Sequence, residues 1–195
     1  TKSTALGAYA KSSGYASVAI STEPSGYYTE ASAQYSVAIG NRALSAITGK
    51  MAYAGRCFSS NGDAQQGTFV LLSDTTDATA EALTTNKSTA GTSNQVVLPN
   101  NSAYTFTAMV VAREKASEGT EAAAFKIEGL IRREANAGST VLVASTATVL
   151  SNANGFAVAA TANTTHGCLA LTVTGKASTN IRWTATVNTT ELSYA

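Results

Sequence analysis

Ser36-Val37-Ala38-Ile39-Gly40 has a near copy in Ser17-Val18-Ala19-Ile20-Ser21 and looser copies in Ser3-Thr4-Ala5-Leu6-Gly7 and Met51-Ala52-Tyr53-Ala54-Gly55. Each is a short run of small and apolar residues closed by Gly or Ser, and recurrence at this spacing is the signature of a solenoid. One turn of such a repeat cannot bury its own apolar face, so turns must stack, and a stack this short needs a lateral partner. The reading predicts a β-solenoid or β-roll over residues 1–61 that works as an oligomer. Glycines at 7, 14, 26, 40, 49 and 55 mark the corners. Corner backbone often needs a positive φ, which Gly supplies without steric cost. The longer stretch around Glu23-Pro24-Ser25-Gly26 predicts a bulging loop with Tyr27 and Tyr28 on its far side.

From Asn61-Gly62-Asp63-Ala64 onward the texture changes to longer alternating segments. Strands are expected over residues 67–73, 94–98, 104–113, 122–133, 139–150, 155–162, 167–175 and 180–192. In the third of these one face reads Tyr104, Phe106, Ala108, Val110, Ala112 and the other Thr105, Thr107, Met109, Val111, Arg113. That period of two is a strand with one apolar and one wet face. About eight such strands, separated by Asn/Gly/Ser/Thr turns, predict an all-β chain whose residues 62–195 form an antiparallel, jelly-roll-like β-sandwich. Trp183 alternates with Ile181 and Val187 and is assigned to the core. Residues 116–124 and 134–137 read as loops.

Charged residues make up 13% of the chain, against about a quarter in ordinary domains. With 13 basic and 12 acidic residues there is no footprint for a phosphate backbone or an anionic lipid surface. Nucleic acid is therefore not an expected partner, and no apolar run approaches the roughly 18–20 residues of a membrane-inserting helix. The chain begins in mid-repeat, which predicts a piece from the C-terminal end of a longer fibrous protein. Cys57 and Cys168 show neither zinc-ligand nor redox spacing and are expected as reduced thiols rather than a disulfide.

The Ser-Val-Ala-Ile-Gly runs resemble the head repeats of YadA-like trimeric autotransporter adhesins. In those heads three chains each wind a left-handed β-roll and pack around a threefold axis. The downstream stretch is similar to a domain found at the C-terminal end of bacteriophage tail fibres and tailspikes. That resemblance rests on Gly62-Asp63-Ala64-Gln65 leading into Thr68-Phe69-Val70-Leu71, on Asp74-Thr75-Thr76-Asp77-Ala78-Thr79, on Leu98-Pro99-Asn100-Asn101, on Phe106 to Arg113 and on Ile181-Arg182-Trp183. It spans most of residues 62–192, while the adhesin resemblance covers about three turns and departs from that family's pattern at Pro24 and in its uneven turn lengths. What the resemblance implies is a homotrimeric fibre tip in the tail of a virion, acting outside the cell on the bacterial surface.

No catalytic signature accompanies this pattern. His166 is the only histidine and has no Gly-x-Ser-x-Gly elbow beside it. Asp74 and Asp77 read as turn caps, and Glu114, Glu118, Glu121, Glu128 and Glu134 alternate with Lys115, Lys126, Arg132 and Arg133 as mixed surface charge. The expectation is a chain that is not an enzyme, with no metal and no cofactor, any depolymerase activity lying upstream of Thr1. Sugar recognition needs flat aromatic faces beside hydrogen-bonding groups. Tyr27, Tyr28, Tyr53, Tyr104, Asn100 and Asn101 are the candidates, with Tyr194, Asn152 and Asn154 behind them. The leading expectation is a receptor-binding tip that attaches the virion to host capsular polysaccharide or lipopolysaccharide. The alternatives are a trimerisation and capping domain, with recognition or depolymerase activity elsewhere, and a bacterial trimeric adhesin or S-layer-type module.

Overall fold

The computed structural model describes residues 2–24, 26–115, 121–151 and 155–194. Up to Ala54 the chain passes back and forth between two small parallel sheets. Strands β1 (Thr4–Leu6), β3 (Val18–Ser21), β5 (Val37–Gly40) and β7 (Met51–Ala54) stack in one. Strands β2 (Ala10–Ser12), β4 (Thr29–Ala31) and β6 (Leu44–Ser45) stack in the other. The pairing lays the sequence repeats over one another, with Ala19, Ala38 and Ala52 in one row and Leu6, Ile20, Ile39 and Tyr53 in the next. The alanine row turns inward and is fully buried with Ala31 and Ala43. The serines opening the second and third repeats are also buried: Ser17 Oγ donates to the Gly14 carbonyl and Ser36 Oγ to the Ala33 carbonyl, each at 2.8 Å. A hydroxyl there gives a corner carbonyl a short, well-placed donor inside the stack.

Only glycine fits at position 40, where φ is +107° and a Cβ would lie 2.1 Å from the Ala54 carbonyl oxygen. Gly14 departs from the expected positive φ; its role is close approach, since a Cβ would lie 1.8 Å from the Ala33 carbonyl oxygen. Left-handed corners fall instead on Tyr9, Ala16, Tyr35 and Arg42 as well as on Gly7, Gly26, Gly40 and Gly49.

The first sheet continues past β7 through an antiparallel pairing with β8 (Ala64–Thr75). It then takes in β16 (Ile181–Ser193), β11 (Ser102–Glu114), β12 (Ala122–Arg133) and β13 (Val141–Ser151), making nine strands in the order β1-β3-β5-β7-β8-β16-β11-β12-β13. A second sheet places β15 (Cys168–Thr174) between β10 (Val96–Val97) and β14 (Ala157–Asn163), and β15 also pairs β9 (Ala80–Ala82). Between the two lies one apolar core built from Phe69, Phe106, Phe125 and Trp183 of the long sheet and Leu169, Leu171 and Val173 of the other. The predicted strand 122–133 coincides with β12, and every predicted strand from 67 to 192 has a counterpart within a few residues. Strand β9 was not legible because three residues, Ala-Glu-Ala, are too few to establish a period and none of them is buried.

One polar cluster is buried where the two parts of the long sheet meet. Lys50 Nζ, just before β7, lies 2.6 Å from Glu191 Oε2 on β16, with both side chains buried. Gln65 Nε2 donates to the same oxygen at 2.6 Å and Thr189 Oγ1 to Oε1 at 2.8 Å. Gly67 makes room for this group, since a Cβ there would lie 2.2 Å from Glu191 Oε1.

Candidate functional site

Three corners on one side of the parallel sheets converge on a recess of about 390 Å³ lined by Glu23, Tyr27, Asn41, Arg42, Arg56 and Phe58, among others. Arg42 is its hub. The residue takes a left-handed turn (φ 60°), and its N–H donates to Thr29 Oγ1 at 3.1 Å while Thr29 Oγ1 donates to the Gly40 carbonyl at 2.7 Å. The guanidinium carbon stands 3.3 Å from the centroid of the Tyr27 ring. Nε donates to Glu23 Oε2 at 3.3 Å, and Nη1 donates to Cys57 Sγ at 3.1 Å and to the Ser59 carbonyl at 3.4 Å. Cation, ring and carboxylate thereby hold one another, and Tyr27 keeps 52% of its surface exposed.

The opposite wall is the segment Arg56–Ser60, tied down by Asp63. Its buried carboxylate accepts the backbone N–H groups of Phe58 (2.9 Å), Ser59 (2.6 Å) and Ser60 (2.7 Å). Phe58 is left 78% exposed, and Arg56 is exposed and belongs to no ion pair among the described residues. With Glu23 paired to Arg42 and the Asp63 carboxylate turned into the backbone behind the wall, Arg56 is the cation of the recess open to a ligand. Two aromatic faces beside two guanidinium groups can clasp a sugar ring through its CH face and a carboxylate on that sugar through charge-assisted hydrogen bonds.

Burial pushes the Asp63 carboxyl up, but its backbone donors outweigh that and hold it below the ordinary carboxylate range. A depressed folded pKa contributes stability above the unfolded value and loses it as pH falls through the folded one. Asp63→Asn is therefore expected to destabilise the loop by a constant amount from about pH 7 down to about pH 5, the difference from wild type shrinking only as pH falls below about 3.9 and on through the lowered folded value. Amide exchange of Phe58, Ser59 and Ser60 measures this. A difference that persists unchanged at low pH would contradict the assignment.

Of the sequence candidates, only Tyr27 lines this recess. Tyr28 is half-exposed beside it, edge-on to Tyr9 at 6.2 Å, and its carbonyl accepts from Asn61 Nδ2 at 2.7 Å. Tyr53 stands on the outer face of β7, in the row with Ile39 and Gln66. Asn100 and Asn101 occupy the turn before β11, where the Asn101 N–H donates to the Glu134 carbonyl at 3.0 Å. Tyr104 lies 4% exposed in the core rather than at an open surface turn, and its remaining edge lines a second recess with Leu98, Pro99 and Arg133. Burial, reinforced by the neighbouring Glu191 carboxylate, holds its phenol well above the ordinary value. Asn152, Asn154 and Glu118 lie outside the described residues. Arg42, Arg56 and Phe58 were missed; the signal was a cation two residues after a corner glycine and an Arg-Cys-Phe run after another.

Several other titratable groups are engaged structurally. Glu121 pairs with Lys176 at 3.0 Å, Glu128 with Lys126 at 2.8 Å, Glu134 with Arg132, and Asp74 with Lys87. Asp77 Oδ1 accepts the Thr79 N–H at 2.7 Å. Cys57 and Cys168 are both free thiols, and burial pushes Cys168 up to about 12.

No family model and no curated protein matches the chain. Among solved structures, it is similar to the tailspike protein of Acinetobacter baumannii bacteriophage Fri1, a capsular polysaccharide depolymerase, with a TM-score of 0.37 and 10% identity over 91% of this chain and 38% of that one. It is also similar to the tailspike protein of Acinetobacter baumannii phage AM24, with a TM-score of 0.33 and 10% identity over 92% of this chain and 37% of that one. The likeness is weak, and the chain spans less than two fifths of either protein. The expectation that the chain is not an enzyme is corrected on this finding, because one of the similar structures is a depolymerase.

Proposed function

We propose that the chain is the receptor-binding part of a homotrimeric phage tail fibre or tailspike, acting at the host surface, and that the recess around Tyr27 and Arg42 holds an acidic sugar of the host's surface polysaccharide. In this reading residues 1–61 form a YadA-like β-roll stem and residues 62–195 a β-sandwich tip, joined by the nine-stranded sheet. The observation that carries it is the convergence of Tyr27, Phe58, Arg42 and Arg56 on one recess. A binder of uncharged sugars needs no second arginine there, and a purely structural corner needs no exposed Phe58. The hydroxyl-rich, charge-poor surface elsewhere leaves this cationic spot as a local attractor for acidic glycans. Packing of copies at the amino end is supported by the exposed outer row of Leu6 and Tyr53 with Ile20 and Ile39 between them. Three modest sites on one rigid particle then bind a repetitive polymer through effective concentration.

Titration with uronate-bearing and neutral oligosaccharides of matched length tests this. The uronate series is expected to bind, and Arg56→Ala to weaken it roughly 10- to 100-fold, the worth of a charge-assisted hydrogen bond. Equal binding of both series, or an Arg56→Ala variant that binds like wild type, would contradict it.

A further inference from the structure

The sequence carries no Asp, Glu, Lys or Arg between Glu134 and Lys176 and no proline after Pro99. Inside that charge-free stretch lies β13, the last strand of the long sheet, hydrogen-bonded to β12 on one side and, among the described residues, to no strand on the other. It is exposed along nearly its whole length, with Val143 48%, Val149 59% and Leu150 53% exposed. Soluble proteins blunt such an edge with charges, proline or a covering element, because its free N–H and C=O groups and apolar side chains invite another chain. Two register shifts against β12 bend the strand; of charge and proline there is none. Beside it, β14 is the edge of the second sheet and is equally uncharged.

We infer that this edge is a contact between copies of the chain: β13 of each subunit is covered by a neighbouring subunit in the assembly. The inference rests on the oligomeric reading above but not on the sugar. Charge is the first argument. A second copy offers an equally neutral surface, so the contact opposes no like charges and strands no counter-charge, whereas a charged partner would bury ions with nothing to pair them. Size is the second. At about 3.3 Å per residue the edge is about 36 Å long. A band about 20 Å wide, spanning two sheet edges about 10 Å apart with their side chains, gives on the order of 700 Å², close to the roughly 800 Å² per partner of a standard interface.

The test is amide exchange on the assembled protein, alongside its mass in solution, for wild type, Val143→Lys/Val149→Lys and Leu6→Lys/Tyr53→Lys. Wild type is expected to be oligomeric, with the β13 amides that do not pair with β12 exchanging at least about 100-fold more slowly than free amides. Val143→Lys/Val149→Lys is expected to lose that protection while keeping its β-sheet circular dichroism. Val149→Thr serves as a second variant that keeps the strand neutral and should retain the protection. Free exchange of those amides in an oligomeric wild type, or protection unchanged by the lysines, would overturn the placement and leave the trimer standing. A monomeric wild type would overturn both.

Discussion

Glu191→Ala is expected to destabilise the protein by about 3–5 kcal/mol, the cost of breaking a buried ion pair by removing one partner. The residue is 2% exposed, and its carboxylate accepts from Lys50, Gln65 and Thr189 together. Without it the Lys50 ammonium, itself 4% exposed, is left charged in an apolar surround beneath the Phe69 ring. Because Lys50 belongs to the parallel repeats and Glu191 to the long antiparallel strands, the loss should be felt by both parts of the sheet. Removing the charge at both ends, as in Lys50→Met/Glu191→Leu, leaves no stranded ion and is expected to recover most of the deficit. Urea unfolding at one fixed protein concentration measures the series. A single variant within about 1 kcal/mol of wild type would show that water reaches the pair.

Trp183→Ala is expected to cost about 3–5 kcal/mol through cavity formation. Trp183 is 1% exposed, its ring centroid lies 5.5 Å from that of Phe156 across the two sheets, and its indole N–H donates to Thr75 Oγ1 at 2.9 Å. Trp183→Phe keeps most of the apolar contact but strands the Thr75 hydroxyl, for an expected cost of about 1–2 kcal/mol. The same unfolding curves separate the two. Equal costs for Ala and Phe would mean that the hydrogen bond, not the ring, does the stabilising.

Periodicity made the strands readable because each long strand has one buried face: Tyr104 to Ala112 and Ile181 to Val187 alternate in the structure as they do in the sequence. The same alternation already placed Tyr104 inward, and listing it among surface candidates set residue type above register. Ser17 and Ser36 looked like small spacers, and only their buried hydrogen bonds show why the repeat begins with a hydroxyl. The recess was half legible. Tyr27 followed from the bulging loop, but Arg42, Arg56 and Phe58 come from corners distant in sequence that only the stacking brings together. Lys50 and Glu191 were invisible for the same reason, each being one charge among alternating neutral residues until register joined them.

Fluorine NMR of fluorotyrosine-labelled protein tests whether an acidic sugar sits against Tyr27. Addition of a uronate-bearing oligosaccharide is expected to shift the Tyr27 resonance, assigned through Tyr27→Phe, while buried Tyr104 stays still, and the shift should vanish in Arg56→Ala. A Tyr27 signal that does not move while other tyrosines do, or that moves equally with a neutral oligosaccharide, would contradict the account.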